Sequence, residues 1–179
     1  MLGQTNEQRQ RLDLLAYEIF EPPVPTLEYQ YVRVSANALF KRFGKPKITS
    51  EALERHRDPN PGAPAMIEAL TWDFSGMVMD VTAYPPSVNH DPKKISINRI
   101  EITSSRYKLQ NRLEVGQPIS KFISQLGNPN SRDKSSMSYL VEDHKETGPS
   151  VYEVTAYQIE MALDEDDIVR RITWTWGME

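Results

Sequence analysis

The chain has 179 residues, of which 39% are hydrophobic and 26% charged, and its formal net charge is −4. That length supports one substantial core or two small ones sharing an interface, and the balance is that of a folded globular protein rather than a disordered one. The acidic balance argues against an extended nucleic-acid surface, and the lack of cysteine excludes disulfides, zinc–thiolate sites and cysteine nucleophiles.

The opening M-L-G-Q-T-N-E-Q is too polar for a secretory leader. No run of about 18 apolar residues is available to span a bilayer, so no membrane-spanning segment is expected. The compartment stays open: periplasm or cell envelope if a signal peptide has been removed, cytoplasm otherwise.

Thr5 to Phe20 reads as a helix, with Thr5 and Gln8 spaced as a capping box and Leu12, Leu15, Ala16, Ile19 and Phe20 forming one apolar stripe. Such a stripe packs on the body of a protein more often than it serves as a free arm. The prolines of E-P-P-V-P, Glu21 to Pro25, end it. Leu27 to Val34, rich in Tyr and Val, follows as a strand. Within Val32 to Pro46 a short apolar helix closes on Gly44-x-Pro46. The segment from Leu53 to Pro64 is proline-rich and reads as an exposed loop; its His56-Arg57-Asp58 matches the letters of a kinase catalytic loop, but none of the other kinase motifs accompanies it.

Leu70, Trp72 and Phe74 alternate with Thr71 and Asp73 as in a half-buried strand, and Ser75-Gly76 turns the chain into Met77, Met79 and Val81, a hairpin. From Lys94 to Thr103 the apolar set changes parity, from Ile95 and Ile97 to Ile100 and Ile102, which a bulge near Asn98 and Arg99 would produce. Val115 to Pro129 repeats the earlier helix more strongly: Ile119, Phe122, Ile123 and Leu126 make an i, i+3, i+4, i+7 stripe closed by Gly127-x-Pro129. Three strands are then expected, Met137 to Val141, Val151 to Leu163 and Ile168 to Trp176. The last would place Ile168, Ile172, Trp174 and Trp176 on one side and Val169, Arg171, Thr173 and Thr175 on the other.

Each helix-Gly-x-Pro element thus precedes a similar train of strands. Arg99, Ile100, Glu101 and Ile102 fall on Arg171, Ile172, Thr173 and Trp174 once a small deletion is allowed. The pattern predicts an α+β fold built from two helix-plus-three-strand repeats, whose antiparallel sheet is covered by helices on one side. The expected organisation is an N-terminal helix and linker over 1–26, a first repeat over 27–105 and a second over 106–179, fused into one compact unit.

Chemistry-bearing constellations are sparse. His56, His90 and His144 stand in three polar, Pro/Gly-flanked loops without H-x-x-x-H or H-E-x-x-H spacing, and solvated side chains are the simplest account of them. The run Asp164 to Asp167 lacks the alternating ligands and glycine of a calcium loop and reads as a turn. Glycines do not form a phosphate loop, and the serines lack a G-x-S-x-G setting. No cofactor or metal is expected. Trp72, Trp174 and Trp176, at strand period, read as core rather than as a stacking platform.

The residues V-G-Q-P-I-S-K-F-I-S-Q-L-G-N-P, then S-M-S-Y-L-V, then I-E-M-A-L-D-E-D-D-I-V-R-R-I-T-W resemble the SmpA/OmlA type of outer-membrane assembly lipoprotein domain. The tandem arrangement is similar to that of β-lactamase inhibitory protein. The likeness covers Val115 to Trp176 well and Val32 to Thr103 loosely. It implies a helix-plus-sheet fold and a habit of binding proteins; the chain has neither a lipidated cysteine nor the inhibitor's disulfides, so neither anchoring nor a particular partner carries over.

The leading expectation is a non-enzymatic module that binds another protein through a sheet face or its loops, in the bacterial cell envelope. Strand alternation assigns Thr71, Asp73, Gln158, Glu160, Arg171 and Thr173 to the outward side of the sheet, an ordinary wetted face being the plain alternative. Two other functions stay open. One is a small-ligand-binding or hydrolytic protein with a pocket between sheet and helices, to which Tyr139, Tyr152, Tyr157, His144 and Asp143 would contribute, or His90. The other is an immunity or inhibitor protein. Oligomeric state is not readable from the chain.

Overall fold

A computed structural model describes residues 4–24, 28–29, 32–51, 68–83, 94–148 and 151–176. The fold is α+β. Helix α1 (Asn6–Tyr17) is followed by strands β1 (Glu28–Tyr29) and β2 (Val32–Ser35), helix α2 (Ala36–Phe43), and strands β3 (Lys47–Glu51), β4 (Glu68–Asp73), β5 (Met77–Ala83) and β6 (Lys94–Ile102). Helix α3 (Ile119–Leu126) then precedes β7 (Ser131–Arg132), β8 (Ser136–Gly148), β9 (Val151–Leu163) and β10 (Val169–Trp176).

All strands belong to one antiparallel sheet with the order β3-β4-β5-β6-β10-β9-β8-β7, while β2 pairs with β6 and carries β1 beside it. Strands β6 and β10 therefore meet at the centre, and β3 and β7 form the edges. At the seam Ile102 faces Ile172, Glu101 faces Thr173 and Ile100 faces Trp174.

The core explains which residues ended where. Met77, Met79 and Val81 of β5, Ile95, Ile97, Ile100 and Ile102 of β6, and Tyr157, Ile159 and Met161 of β9 are buried. They join Leu12, Leu15 and Ala16 of α1, Leu39 of α2 and Phe122 and Leu126 of α3 in one continuous cluster. Trp72 and Trp174 lie in that cluster, and Trp176 packs half-buried against it.

Local chemistry accounts for the boundaries. The Thr5 hydroxyl accepts the Gln8 N–H at 3.2 Å, capping α1. The reciprocal half of the capping box does not form, because the Gln8 amide reaches the Asn128 carbonyl instead, at 2.6 Å. Helix α1 stops at Tyr17, short of the expected Phe20, yet Ile19 and Phe20 remain buried, so the stripe continues past the helix end. Ser75 and Gly76, with φ of 62° and 99°, make the tight hairpin turn between β4 and β5. The expected bulge is present: Asp80 faces Arg99 and Val81 faces Ile97, leaving Asn98 as the extra residue.

Four expectations need correction. The single strand foreseen over Leu27 to Val34 is instead the antiparallel pair β1 and β2, with Tyr29 opposite Val32. Among the described residues, four strands rather than three follow each of α2 and α3, because the edge strands β3 and β7 are short and polar and carry no apolar alternation. The strand foreseen at Met137–Val141 runs on to Gly148, because pairing with β9 continues through polar residues that carry no apolar alternation. The parity foreseen for β10 fails at its start. A bulge between Val169 and Arg171 turns Val169 into the core, fully buried, while Ile168 stays half-exposed and bridges to Pro118. The Leu53–Pro64 loop, with His56, and His90 lie outside the described residues.

Candidate functional site

Because side chains alternate across a strand, the buried parity of each strand leaves the opposite parity on the other face. That other face is where the six sequence-assigned residues stand. One row across the sheet runs Thr71, Asp80, Arg99, Thr175, Gln158 and Leu140. The adjacent row runs Asp73, Val78, Glu101, Thr173, Glu160 and Ser138. Arg171, opposite Ala162, stands one step further along β10. Asp73 and Arg171 are exposed, whereas Thr71, Gln158, Glu160 and Thr173 are half-buried.

The six therefore share a face without forming a cluster. Asp73 on β4 and Glu160 on β9 are separated by three strands, a distance on the order of 19 Å at the usual strand spacing. What occupies the middle is a charged group that sequence reasoning missed. Arg99 pairs with Asp80 at 3.3 Å and with Glu101, and the Thr71 hydroxyl donates to Asp80 at 3.2 Å. Asp80 was findable from the Val78-Asp80-Thr82 alternation. Arg99 was findable as well, since inward Ile100 and Ile102 put Arg99 and Glu101 on the other side. These side chains are partly solvated, so the pairs contribute little stability and instead hold the charges in a defined mosaic.

Turns at the sheet's ends are ordered by carboxylates. Asp133 accepts backbone and hydroxyl hydrogen bonds from Ser135 and Ser136, which lowers its pKa to about 2. Asp164 accepts the Ile168 N–H, which lowers its pKa from the ordinary value, with Arg170 and the Asp166 N–H adding to the effect. Asp167 pairs with Arg132 at 3.0 Å. The acidic run is thus a hydrogen-bonded turn, and among the described residues no three His, Asp or Glu gather as a metal site.

The tyrosines proposed for a pocket are committed elsewhere. Tyr139 is fully buried, donates to the Gly127 carbonyl at 2.8 Å, and burial pushes its phenol up in pKa. The Tyr157 hydroxyl donates to Asp13 at 2.8 Å. Asp143, His144 and Tyr152 lie on the β8–β9 ribbon, opposite Thr155, Val154 and Glu146, and their side chains are outside the described set.

No family model matches the chain, and no curated protein matches it. Among solved structures, that of a DUF4309 family protein (YjgB) from Bacillus subtilis is similar over 95% of this chain and 97% of that one. The identity is 13% and the TM-score 0.36, too low to carry an argument.

Proposed function

We propose that the chain is a non-enzymatic, duplicated helix-plus-sheet module that binds another protein through the open face of its sheet. The observation that carries this reading is the face itself: across β4, β5, β6, β10, β9 and β8 the described side chains of one parity, from Thr71 to Leu140, are polar or charged for the most part and reach solvent. A broad mosaic of fixed charges suits a protein surface, because charge pattern selects partners and steers encounter. In this reading all three helices lie on the other side.

Duplication is supported by the strand order, which reads the same outward from β6 and from β10. Superposing Ile100 on Ile172, Glu101 on Thr173 and Ile102 on Trp174 maps the seam pairs Ile100–Trp174 and Ile102–Ile172 onto each other, with Glu101–Thr173 on the axis. Under the same operation Phe74 corresponds to Tyr139, Met77 to Ile159 and Met79 to Met161, all buried. The repeats would occupy 27–105 and 106–179. The resemblance to SmpA/OmlA domains supports a cell-envelope setting.

The test is retention from envelope extracts by the wild-type chain, by a face variant carrying Asp73→Lys and Glu160→Lys, and by a control, Glu7→Lys, at an exposed position in the first turn of α1. A specific protein kept by wild type and control but lost by the face variant is expected. Equal retention by all three would remove the sheet face from the function.

A further inference from the structure

Away from the sheet face, the segment after α1, the last turn of α2 and the loop after β6 enclose a cleft of about 350 Å³. Its floor is aromatic. Phe20 and Tyr107 are buried, and Phe43 sits between them edge-on, its centroid 4.7 Å from Phe20 and 5.7 Å from Tyr107. The rim is cationic, formed by the exposed Arg42, Arg106 and Lys108.

The two guanidinium groups are held in place, and each is held through one nitrogen. Arg42 Nη2 donates to the Glu21 carbonyl at 3.0 Å, with Pro22 O at 3.5 Å. Arg106 Nη2 donates to the Phe74 carbonyl at 2.7 Å and to the Tyr107 hydroxyl, and its guanidinium carbon lies 4.6 Å from the Tyr107 ring centroid. Among the described residues, the Nε and Nη1 of both arginines and the Lys108 ammonium have no acceptor. The one acid on the wall, Glu21, is engaged outside it: its carboxylate accepts the Arg112 N–H at 3.0 Å and lies 4.0 Å from Arg112 Nε.

Three cations against one committed acid leave a positive mouth on a chain whose net charge is −4. The carbonyl end of α2 opposes an anion here, but a helix terminus carries only about half a charge. Arginine forks match the planar or tetrahedral oxygens of carboxylates and phosphates, and an aromatic floor takes an apolar body. The volume is at the small end of ligand sites.

We propose that this cleft binds a small organic anion: a carboxylate or phosphate monoester oxyanion carried on an apolar, ring-sized body. The oxyanion sits among Arg42, Arg106 and Lys108, and the body lies over Phe43 and Tyr107. This site is separate from the sheet face and stands or falls without it.

The experiment titrates the full chain with phenyl phosphate and with benzoate at low salt, followed by calorimetry, with inorganic phosphate and benzyl alcohol as half-ligands. Binding of either whole probe, tighter than both half-ligands and weakened about tenfold or more by Arg42→Gln and by Lys108→Gln, is the expected result. The probe that binds more tightly identifies the oxyanion. Arg170→Gln, on the Asp164 turn, leaves binding unchanged. Lys108 makes no side-chain hydrogen bond or ion pair among the described residues, so its variant remains decisive if Arg42→Gln does not fold. Failure of both probes to bind at millimolar concentration, or binding indifferent to the Lys108→Gln change, overturns the proposal.

Discussion

Helices α2 and α3 end on the same sequence device and meet different surroundings. Gly44 and Gly127 both take a positive φ, 89° and 84°, and both return their N–H to the helix, to Phe40 and to Ile123. Around Gly127, α1 has closed in: Gln8 donates to the Asn128 carbonyl, Arg11 donates to the Gln125 carbonyl at 3.0 Å, and the Tyr139 hydroxyl donates to Gly127 itself. A Cβ there would sit 2.8 Å from Gln8, whereas one at Gly44 would meet nothing within 4 Å. Among the described residues the end of α2 stays open, with Phe43 half-buried at the cleft and Ile48 on β3 52% exposed. Local sequence stops a helix; what then packs on the stop is decided by elements far away in the chain.

The largest test of this contrast is in the core. Phe122 on α3 is fully buried, so Phe122→Ala is expected to cost about 3–5 kcal/mol in urea unfolding. Phe40→Ala on α2, whose ring is only half-buried against Trp72 at 4.9 Å, should cost clearly less. Equal losses would mean that the two helices are packed alike.

Next come the glycines. Gly44→Ala carries only the backbone cost of a left-handed residue, about 1–2 kcal/mol. Gly127, at φ 84° and ψ −170°, lies in a region essentially reserved for glycine, and Gly127→Ala must also displace Gln8, so it should be the more destabilising. In a Gln8→Ala background the excess should shrink to the backbone difference between the two sites. If the two glycine variants were already equal with Gln8 present, α1 would not be pressing on the end of α3.

Arg11→Ala removes a hydrogen bond to an exposed helix end and an exposed ion pair with Glu7, and a loss of about 0.5–1.5 kcal/mol is expected. Arg42→Ala, at the open end, should lie near the bottom of that range, since its carbonyl partners can turn to water. A thermal-shift comparison of the two would reveal any reversal.

The smallest effect is one of pH. Asp133 orders the turn before β8, and its folded pKa of about 2 lies below the ordinary 3.8. Its contribution is therefore complete above about 3.8 and fades as the carboxylate takes up a proton on the way down to about 2. An NMR titration should give a midpoint near 2, and Asp133→Asn should flatten this part of the acid profile. A midpoint near 3.8 would mean that the serine hydrogen bonds are not held in solution.

Much of the architecture was legible because burial imposes period. The i, i+3, i+4, i+7 stripe of Ile119, Phe122, Ile123 and Leu126 marked α3, and the parity switch from Ile97 to Ile100 marked a bulge. Legibility failed where pairing, not burial, sustains the strand, as from Glu142 to Gly148, and where a bulge displaced the register, as at Val169. Strand parity was enough to put Thr71, Asp73, Gln158, Glu160, Arg171 and Thr173 on one side of the sheet. The Asp80–Arg99–Glu101 group beside them was not singled out, because parity gives the side a residue takes and not which charges of neighbouring strands meet.

The cleft shows the same limit more sharply. Phe20, Arg42 and Tyr107 are far apart in sequence, and no spacing rule connects them. By itself the sequence determined the helix stops, the hairpin turn at Ser75-Gly76 and the apolar parity of most strands, because each depends on backbone preferences and side-chain period within a few residues. Only the tertiary structure decided that β6 and β10 meet at the centre, that α1 covers one helix end and leaves the other open, and which cations share a mouth. Those outcomes depend on contacts between segments that local chemistry leaves free to pair in several ways.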